Sequence, residues 1–215
     1  MSDVMAISRL RMGTDGEGIT TLVGFYGCPL SCRYCANNYC HQSSTVRANY
    51  TPEELLQVLS IDEPYFLMTG GGVTFGGGEP LLQAEFIHEV CQKMNPKRKR
   101  TIETSLYAPW KRIKMLVQDI DYWYVDIKDI NNDIYEAYTG KDNEIMLENL
   151  IKLASVVPLE KICIRVPLIP KFNTVESRNK EIEWLQFVIS KDVRIDAFKY
   201  IPMPEWDDEG GIFSF

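Results

Sequence analysis

The sequence has few of the features that would direct it to a membrane or a nucleic acid. No stretch is apolar enough to cross a bilayer, and a charged segment followed by an apolar run does not open the chain, so we expect neither a membrane span nor a signal peptide. The formal net charge is −7, and without a basic excess a general nucleic-acid-binding protein is not expected. Repeats, low-complexity stretches and linkers are also missing. We therefore expect one cytoplasmic domain spanning residues 1–215.

Histidine and clustered basic charge are equally scarce. The two histidines, His41 and His88, offer no catalytic pair. One basic run, Lys97–Arg100, follows Asn95 and Pro96. We expect this run to be a solvated turn between a helix and a strand, with a docking patch as the alternative.

The cysteines of this chain have an unusual spacing. Cys28, Cys32 and Cys35 are spaced to direct three thiolates at one [4Fe-4S] cluster and to leave one iron open. An open metal position is typical of a catalytic site. Cys40 follows closely, however, and four cysteines can also hold zinc. Spacing alone leaves both interpretations open, and without a signal peptide such thiols indicate a reducing compartment.

The remaining sequence alternates between short strands and helices. Strands are predicted over 20–26, 73–75, 101–104, 122–127, 161–166 and 194–201, and helices from Thr51, over 86–94, 109–118, 145–157 and 177–190. Thr51 and Glu54 predict a capping box at the first of these helices. The helix over 145–157 is predicted to have one apolar face, formed by Leu147, Leu150, Ile151 and Ala154. About six strand–helix units in alternation predict an α/β fold with a parallel sheet, because parallel neighbours need crossover helices. Cys91 and Cys163 fall on apolar faces of these elements and are expected to be small core residues.

Polar motifs follow the carboxyl ends of the predicted strands. They are the cysteine loop over 27–42, Gly77-Gly78-Glu79, Glu103-Thr104-Ser105, Asp126-Ile127-Lys128 and Arg165-Val166-Pro167. In parallel α/β folds the ligands bind beyond the carboxyl ends of the strands. The sequence therefore predicts one shared site at this edge of the sheet.

These motifs resemble those of a known family. The pattern Cys28-x-x-x-Cys32-x-Tyr34-Cys35, followed by Gly77-Gly78-Glu79-Pro80, resembles the radical S-adenosylmethionine (SAM) superfamily. Further motifs are similar to those of the glycyl-radical-enzyme activating enzymes, of the pyruvate formate-lyase activating enzyme type. These are Asp15-Gly16-Glu17-Gly18-Ile19, Gly27-Cys28-Pro29-Leu30, Asn37, Asp126-x-Lys128, Tyr138-Thr139-Gly140 with Asn149, and the segment 165–173.

The resemblance implies a partial, open (β/α)6 barrel of the TIM type, with the active site at the carboxyl mouth of the strands. Cys28, Cys32 and Cys35 would hold one [4Fe-4S] cluster, and SAM would chelate the open iron. Reductive cleavage of SAM would give a 5′-deoxyadenosyl radical that takes a hydrogen atom from a glycine of a partner glycyl-radical enzyme. Flavodoxin or ferredoxin would donate the electron. We expect a monomer, and no auxiliary cluster.

The resemblance also implies contacts to SAM along the strand ends. Glu79 would accept from the ammonium group, and Gly77 and Gly78 would let the backbone approach the methionine moiety. Asp126 and Lys128 alternate on a strand and face one side, so they would contact the polar end of SAM or pair with each other.

Other contacts are expected around the adenine and the mouth. Tyr34 and Asn37 would neighbour the adenine, although Tyr34 equally suits loop packing. Arg165 would lie at the mouth or balance acids there. A small monovalent cation is a further expectation, with ligands from Glu103, Thr104 and Asp126.

Some positions depart from the family pattern. Thr20 stands where relatives usually have arginine, Thr104-Ser105-Leu106 replaces a Thr-Asn-Gly-like turn, and no histidine follows Tyr200. Two alternatives therefore stay open, a radical SAM enzyme acting on another peptide or small molecule, and a metal-binding module without turnover. The acidic tail over about 203–215 would flank the mouth or form a loosely packed end.

Overall fold

The structure, a computed structural model, describes residues 1–201, so the acidic tail from about 203 lies outside the described residues. Its elements in chain order are β1 (Ser2–Met12), β2 (Ile19–Phe25), β3 (Ala48–Tyr50), α1 (Pro52–Leu59), α2 (Glu63–Thr69), β4 (Gly72–Gly77), α3 (Ala84–Lys93), β5 (Lys99–Thr104), α4 (Trp110–Leu116), β6 (Tyr122–Asp126), α5 (Asn132–Thr139), α6 (Glu144–Val156), β7 (Ile162–Leu168), α7 (Val175–Val188) and β8 (Arg194–Lys199). Within residues 1–201 we find no helix with both the length and the apolar character of a membrane span.

The strands form one 8-stranded sheet in the order β3-β1-β2-β4-β5-β6-β7-β8. From β2 to β8 all neighbours are parallel. The prediction of a parallel α/β sheet is therefore confirmed. Its two edges are β3 and β8, so the sheet stays open within residues 1–201.

The first strand was not predicted. β1 pairs antiparallel with β2 and β3, and its register against β2 shifts twice. Those irregularities break the alternation by which a strand is recognised in a sequence. The hairpin loop between β1 and β2 contains Asp15, whose carboxylate accepts from Arg11 Nε at 2.9 Å and whose carbonyl accepts from Thr74 Oγ1 at 2.6 Å. The segment that begins at Asp15 therefore anchors the hairpin loop to β4 through the hydrogen bond from Thr74.

The helices bury the expected faces with one exception. α1 begins with the predicted capping box, in which Thr51 and Glu54 each accept from the other's backbone N–H. On α6 the core face consists of Met146, Leu150 and Leu153, whereas Ile151 is 45% exposed. The prediction that Ile151 faces the core is wrong, because the buried stripe lies one position away around the helix. The helices α2 and α5 were not predicted.

The basic run lies at the predicted turn between α3 and β5, where Lys97 is exposed and the other three cations are buried or half-buried. Arg98 is 6% exposed, pairs with Glu63 and lies 5.8 Å from the centre of the Phe66 ring. Lys99 lies over the Tyr122 ring, and Arg100 pairs with Asp121 at 3.2 Å. These three cations therefore contact neighbouring side chains at the start of β5, and the expectation of a solvated run holds only for Lys97. The alternative of a docking patch stays a prediction.

Candidate active site

A cavity of about 480 Å³ opens at the carboxyl ends of the parallel strands. The structure brings into it every residue that the sequence analysis assigned to metal or cofactor binding, namely Cys28, Cys32, Tyr34, Cys35, Asn37, Gly77, Gly78, Glu79, Glu103, Thr104, Asp126, Lys128 and Arg165. Lining residues that were not assigned include Arg11, Thr14, Ser105, Tyr138, Asp196, Phe198 and Tyr200. Asp196 and Phe198 lie on β8, and no polar motif in the sequence marked the end of that strand.

The cysteine loop is hydrogen-bonded to the end of α5. Backbone N–H groups of Ser31 and Arg33 donate to the carbonyls of Thr139 and Tyr138, at 2.9 and 3.0 Å. Gly140 then ends the helix with φ of 76°, a left-handed conformation that favours glycine. The Tyr-Thr-Gly motif therefore acts as the support for the loop that carries the thiols.

The thiols differ in their surroundings. Burial raises the pKa of Cys32 to about 12, and the nearby Lys128 ammonium opposes part of that rise. Cys40 is buried beside Cys28, and the hydrogen bond between their thiols raises the pKa of Cys28 and lowers that of Cys40. Cys40 is not among the residues that line the cavity.

The cysteine loop offers a donor set that suits an iron–sulfur cluster. A [4Fe-4S] cube binds each thiolate at a different iron, and with three thiolates it keeps one iron open. Cys28, Cys32 and Cys35 all line the same cavity. The donor set of Cys28, Cys32 and Cys35 therefore fits the cluster.

Glu79 is held by the end of β5. Its side chain is 1% exposed, and Oε1 accepts from Thr104 Oγ1 at 2.6 Å and from Leu81 N at 3.2 Å. Oε2 accepts from the N–H and the hydroxyl of Ser105, at 2.9 and 2.6 Å. Burial raises the pKa of Glu79, and the hydrogen bonds from Ser105 and Thr104 counteract it. The carboxylate is therefore fixed in one orientation beside the thiols.

The glycines before Glu79 are required by close backbone packing. A Cβ on Gly77 would lie 2.6 Å from Gly24 Cα, and one on Gly78 would lie 2.1 Å from the Gly27 carbonyl oxygen. Asn37 Nδ2 donates to the Gly77 carbonyl at 3.0 Å. These glycines thus let β4 approach β2 and the cysteine loop, a packing role that the sequence interpretation did not include.

Four charged side chains form another part of the cavity wall. Arg165 Nη2 lies 2.7 Å from Glu103 Oε1, and Nη1 lies 3.7 Å from Asp126 Oδ1. Arg165 therefore does both things expected of it, lining the mouth and balancing acids. Lys128 Nζ lies 3.9 Å from Asp126 Oδ2. Burial lowers the pKa of Lys128, but Asp126 and the thiols of Cys32 and Cys35 raise it more, so its ammonium stays charged.

Aromatic rings close one side of the cavity. The Tyr34 ring stacks on Tyr200 with centroids 6.2 Å apart, and meets Tyr138 and Phe172 edge-on. The Tyr200 hydroxyl donates to the Tyr34 carbonyl. Tyr34 therefore has the loop-packing role that was one of the two expected for it, and it also lines the cavity.

Comparison with known proteins agrees with this geometry. The Radical SAM superfamily model matches residues 22–184. The pyruvate formate-lyase-activating enzyme of Clostridium pasteurianum is 32% identical over 189 residues, which cover 87% of this chain and 76% of that protein. The (2S)-3-sulfopropanediol dehydratase activating enzyme of Klebsiella oxytoca is 38% identical over 122 residues, covering 56% and 38%. The 4-hydroxyphenylacetate decarboxylase activating enzyme of Clostridioides difficile is 36% identical over 158 residues, covering 73% and 48%. The matched part thus spans less than half the length of the last two.

Solved structures show the same fold. SuiB of Streptococcus suis, bound to S-adenosylmethionine, has a TM-score of 0.65 at 14% identity, covering 88% of this chain and 41% of that one. Coproporphyrinogen III oxidase of Escherichia coli has a TM-score of 0.58 at 16% identity, covering 87% and 45%. These likenesses confirm the predicted open (β/α)6 barrel. On the family model, on its relatives among activating enzymes and on its fold, this chain belongs to the radical SAM superfamily.

Proposed function

We propose that this chain is a glycyl-radical-enzyme activating enzyme, which cleaves SAM reductively and removes a hydrogen atom from a backbone glycine of a partner enzyme. The observation that carries the proposal is the grouping of three cysteines, Glu79 and Lys128 in one cavity at the carboxyl mouth of the barrel. Similarity to activating enzymes, at 32% identity over 189 residues in one case, supports this branch of the superfamily.

Cys28, Cys32 and Cys35 would hold the cluster. When bound, a [4Fe-4S] cluster supplies the electron that cleaves SAM, and its open iron supplies the point at which SAM is held. The Lys128 ammonium lies close enough to Cys32 and Cys35 to stabilise the negative charge of their thiolates.

Glu79 would hold the ammonium group of SAM. Its four hydrogen bonds already use about four lone-pair positions, the full capacity of a carboxylate. Two of the donors are the hydroxyls of Thr104 and Ser105, which rotate freely. Rotation of one hydroxyl releases a lone pair to the ligand without any movement of the backbone.

The remaining assigned residues would orient the rest of the ligand. Asp126 and Lys128 would contact its polar end, and Arg165 would neutralise Glu103 beside it. Tyr34 and Asn37 would neighbour the adenine, since both line the cavity. Asn37 would do so while its amide supports the Gly77 carbonyl. A monovalent cation on Glu103, Thr104 and Asp126 stays a prediction. It would have to replace the Arg165–Glu103 and Thr104–Glu79 contacts.

The partners follow from the proposed activity. They are a glycyl-radical enzyme as protein substrate and a flavodoxin or ferredoxin as electron donor, with the enzyme acting as a cytoplasmic monomer. The sheet stays open between β3 and β8 within residues 1–201, which leaves room for a polypeptide loop to enter the mouth from the side.

The test is formation of 5′-deoxyadenosine from SAM by anaerobically reconstituted, reduced protein, with Cys32→Ala as the control. Product from the native chain alone, together with an organic radical on a co-expressed glycyl-radical enzyme, would support the proposal. Product without a radical on such a partner would favour another peptide or small-molecule substrate. A protein that takes up zinc instead of iron would indicate a binding module and overturn the proposal.

A further inference from the structure

The turn after β5 has a conformation that its sequence does not favour. Leu106 has φ of 58°, in the left-handed region that residues other than glycine rarely adopt. The segment from Thr104 to Ala108 is here called the β5 turn. Its own hydrogen bonds run from Leu106 N to Thr104 Oγ1 and from Ala108 N to the Leu106 carbonyl, both at 2.9 Å, and from Tyr107 N to Ser105 Oγ at 3.3 Å. All three lie within the turn, so only contacts from other segments can fix the turn relative to the rest of the structure.

Asn149 on α6 supplies such a contact. Its side chain is buried, with 3% exposed, and Nδ2 donates to the carbonyls of Leu106 and Ala108 at 2.9 and 2.8 Å. Both amide hydrogens are thus used on the β5 turn. Because both bonds are buried, water cannot easily replace them. Removing the amide takes a donor from the Ala108 carbonyl and leaves the Leu106 carbonyl only the bond from Ala108 N.

The other side of the β5 turn holds Glu79. Thr104 and Ser105 together give this carboxylate three of its four hydrogen bonds. One continuous chain of contacts therefore runs from Asn149, through the β5 turn, to the Glu79 carboxylate in the cavity. Asn149 itself is not among the residues that line the cavity.

We propose that Asn149 is a positioning residue, which fixes the orientation of Glu79 toward the ammonium group of SAM by holding the β5 turn. This inference rests on the proposed function, in which Glu79 binds that group. Loss of the amide lets the turn relax at Leu106, so Ser105 and Thr104 no longer present their donors in one arrangement. Mutation of residues that orient ligating groups from outside a site typically weakens affinity about 10–100-fold. For loss of the Asn149 amide we expect about a tenfold increase in the Kd for SAM.

The experiment uses the cluster-loaded protein and the variants Asn149→Leu and Asn149→Ser. Leucine has nearly the shape of asparagine without its donors, and serine is a milder change in case the leucine variant does not fold. SAM is titrated into the reduced protein, and its Kd is taken from the change in the electron paramagnetic resonance spectrum of the cluster. Iron and sulfide content are measured in parallel.

Asn95→Ala is the matched control. Asn95 Nδ2 donates to Glu63 at 2.5 Å and its Oδ1 accepts from Lys97 N at 3.0 Å, in the turn before β5 at the opposite end of the strand. We expect this variant to bind SAM as the native chain does. A Ser105→Ala change combined with Asn149→Leu should raise the Kd by less than the product of the separate effects, because both act through Glu79.

The outcomes separate this inference from the proposed function. A raised Kd with full cluster content, absent in the control, supports it. An unchanged Kd in a folded Asn149 variant, an equal rise in Asn95→Ala, or fully multiplicative effects with Ser105→Ala would overturn it. If the native chain holds a reducible cluster but does not bind SAM, the proposed function fails first and the inference falls with it.

Discussion

A buried carboxyl group on α7 makes the stability of this protein depend on pH. Glu181 is 1% exposed, and neither carboxylate oxygen has a hydrogen-bond partner. Burial and the charge of Asp129 raise the pKa of Glu181 to about 8, against smaller lowering effects of the Ile130 N–H and Arg178. The Ile130 N–H is near but does not reach hydrogen-bond geometry. Glu181 therefore costs the folded state free energy wherever it must ionise.

The sign of this dependence follows from proton binding. The pKa is about 8 in the folded state and 4.5 as the reference for the unfolded chain, so between these values folding takes up a proton. The free energy of unfolding then decreases as the pH rises from about 4.5 to about 8, and levels off above that. At about 1.4 kcal/mol per pH unit, the destabilisation at pH 7 is about 3 kcal/mol.

Glu181→Gln removes the ionisation and nearly preserves the shape of the side chain. We expect the variant to be more stable than the native protein by about 3 kcal/mol at pH 7. The difference should grow by about 1.4 kcal/mol per unit up to about pH 8 and stay constant beyond it. Anaerobic urea unfolding of the cluster-loaded proteins between about pH 6.5 and 9, followed by tryptophan fluorescence, measures that difference.

Glu183→Gln on the exposed side of α7 is the control, and its difference from the native protein should not change with pH in this way. The reasoning would be refuted by a Glu181→Gln difference that is the same at every pH. It would equally fail if the variant were less stable throughout, since that would mean that Arg178 stabilises an ionised Glu181.

Three further predictions concern the cysteine loop, the glycines and a helix cap. Cys40→Ser should keep the cluster because Cys40 lies outside the cavity lining, whereas Cys32→Ser should lose it; equal loss of iron would make Cys40 a ligand. Gly78→Ala should cost about 3 kcal/mol in thermal unfolding, because its Cβ would meet the Gly27 carbonyl oxygen, and full stability would contradict that close contact. Thr51→Ala should remove the α1 cap and cost about 1 kcal/mol without changing the Kd for SAM, so a change in Kd would argue against a purely local role.

The sequence was sufficient to place the site because the site is built from strand ends. Each motif follows an apolar segment, and the parallel arrangement brings the carboxyl ends to one edge whatever the details of packing. The same logic could not find β1, whose register shifts hide its alternation. It also placed Ile151 on the wrong side of α6, since an error of one position rotates a helical face by about 100°.

What the sequence could not reveal are the contacts between distant segments. Glu79, Thr104 and Ser105 lie on successive strand ends, so their grouping was foreseeable, although their hydrogen bonds were not. Asn149 lies 43 residues from Leu106, and nothing in its local sequence indicates a bond to that carbonyl. Such long-range bonds appear only once the packing of α6 on the sheet is known.

Contacts among the lining side chains explain how this polar cavity can be ordered without a bound ligand. Isolated buried charges are costly, but Arg165 pairs with Glu103 and Glu79 accepts four hydrogen bonds, so these charges are compensated before any ligand binds. Under the proposed function, the hydroxyl donors on Glu79 would rotate away when the ammonium group of SAM binds, whereas Asn149 holds the backbone that carries them from outside the cavity. The backbone of the β5 turn would thus set the orientation of the Glu79 carboxylate, and the two hydroxyls would allow its hydrogen-bond partners to change. The carboxylate could then exchange a hydroxyl for the ligand without losing its position.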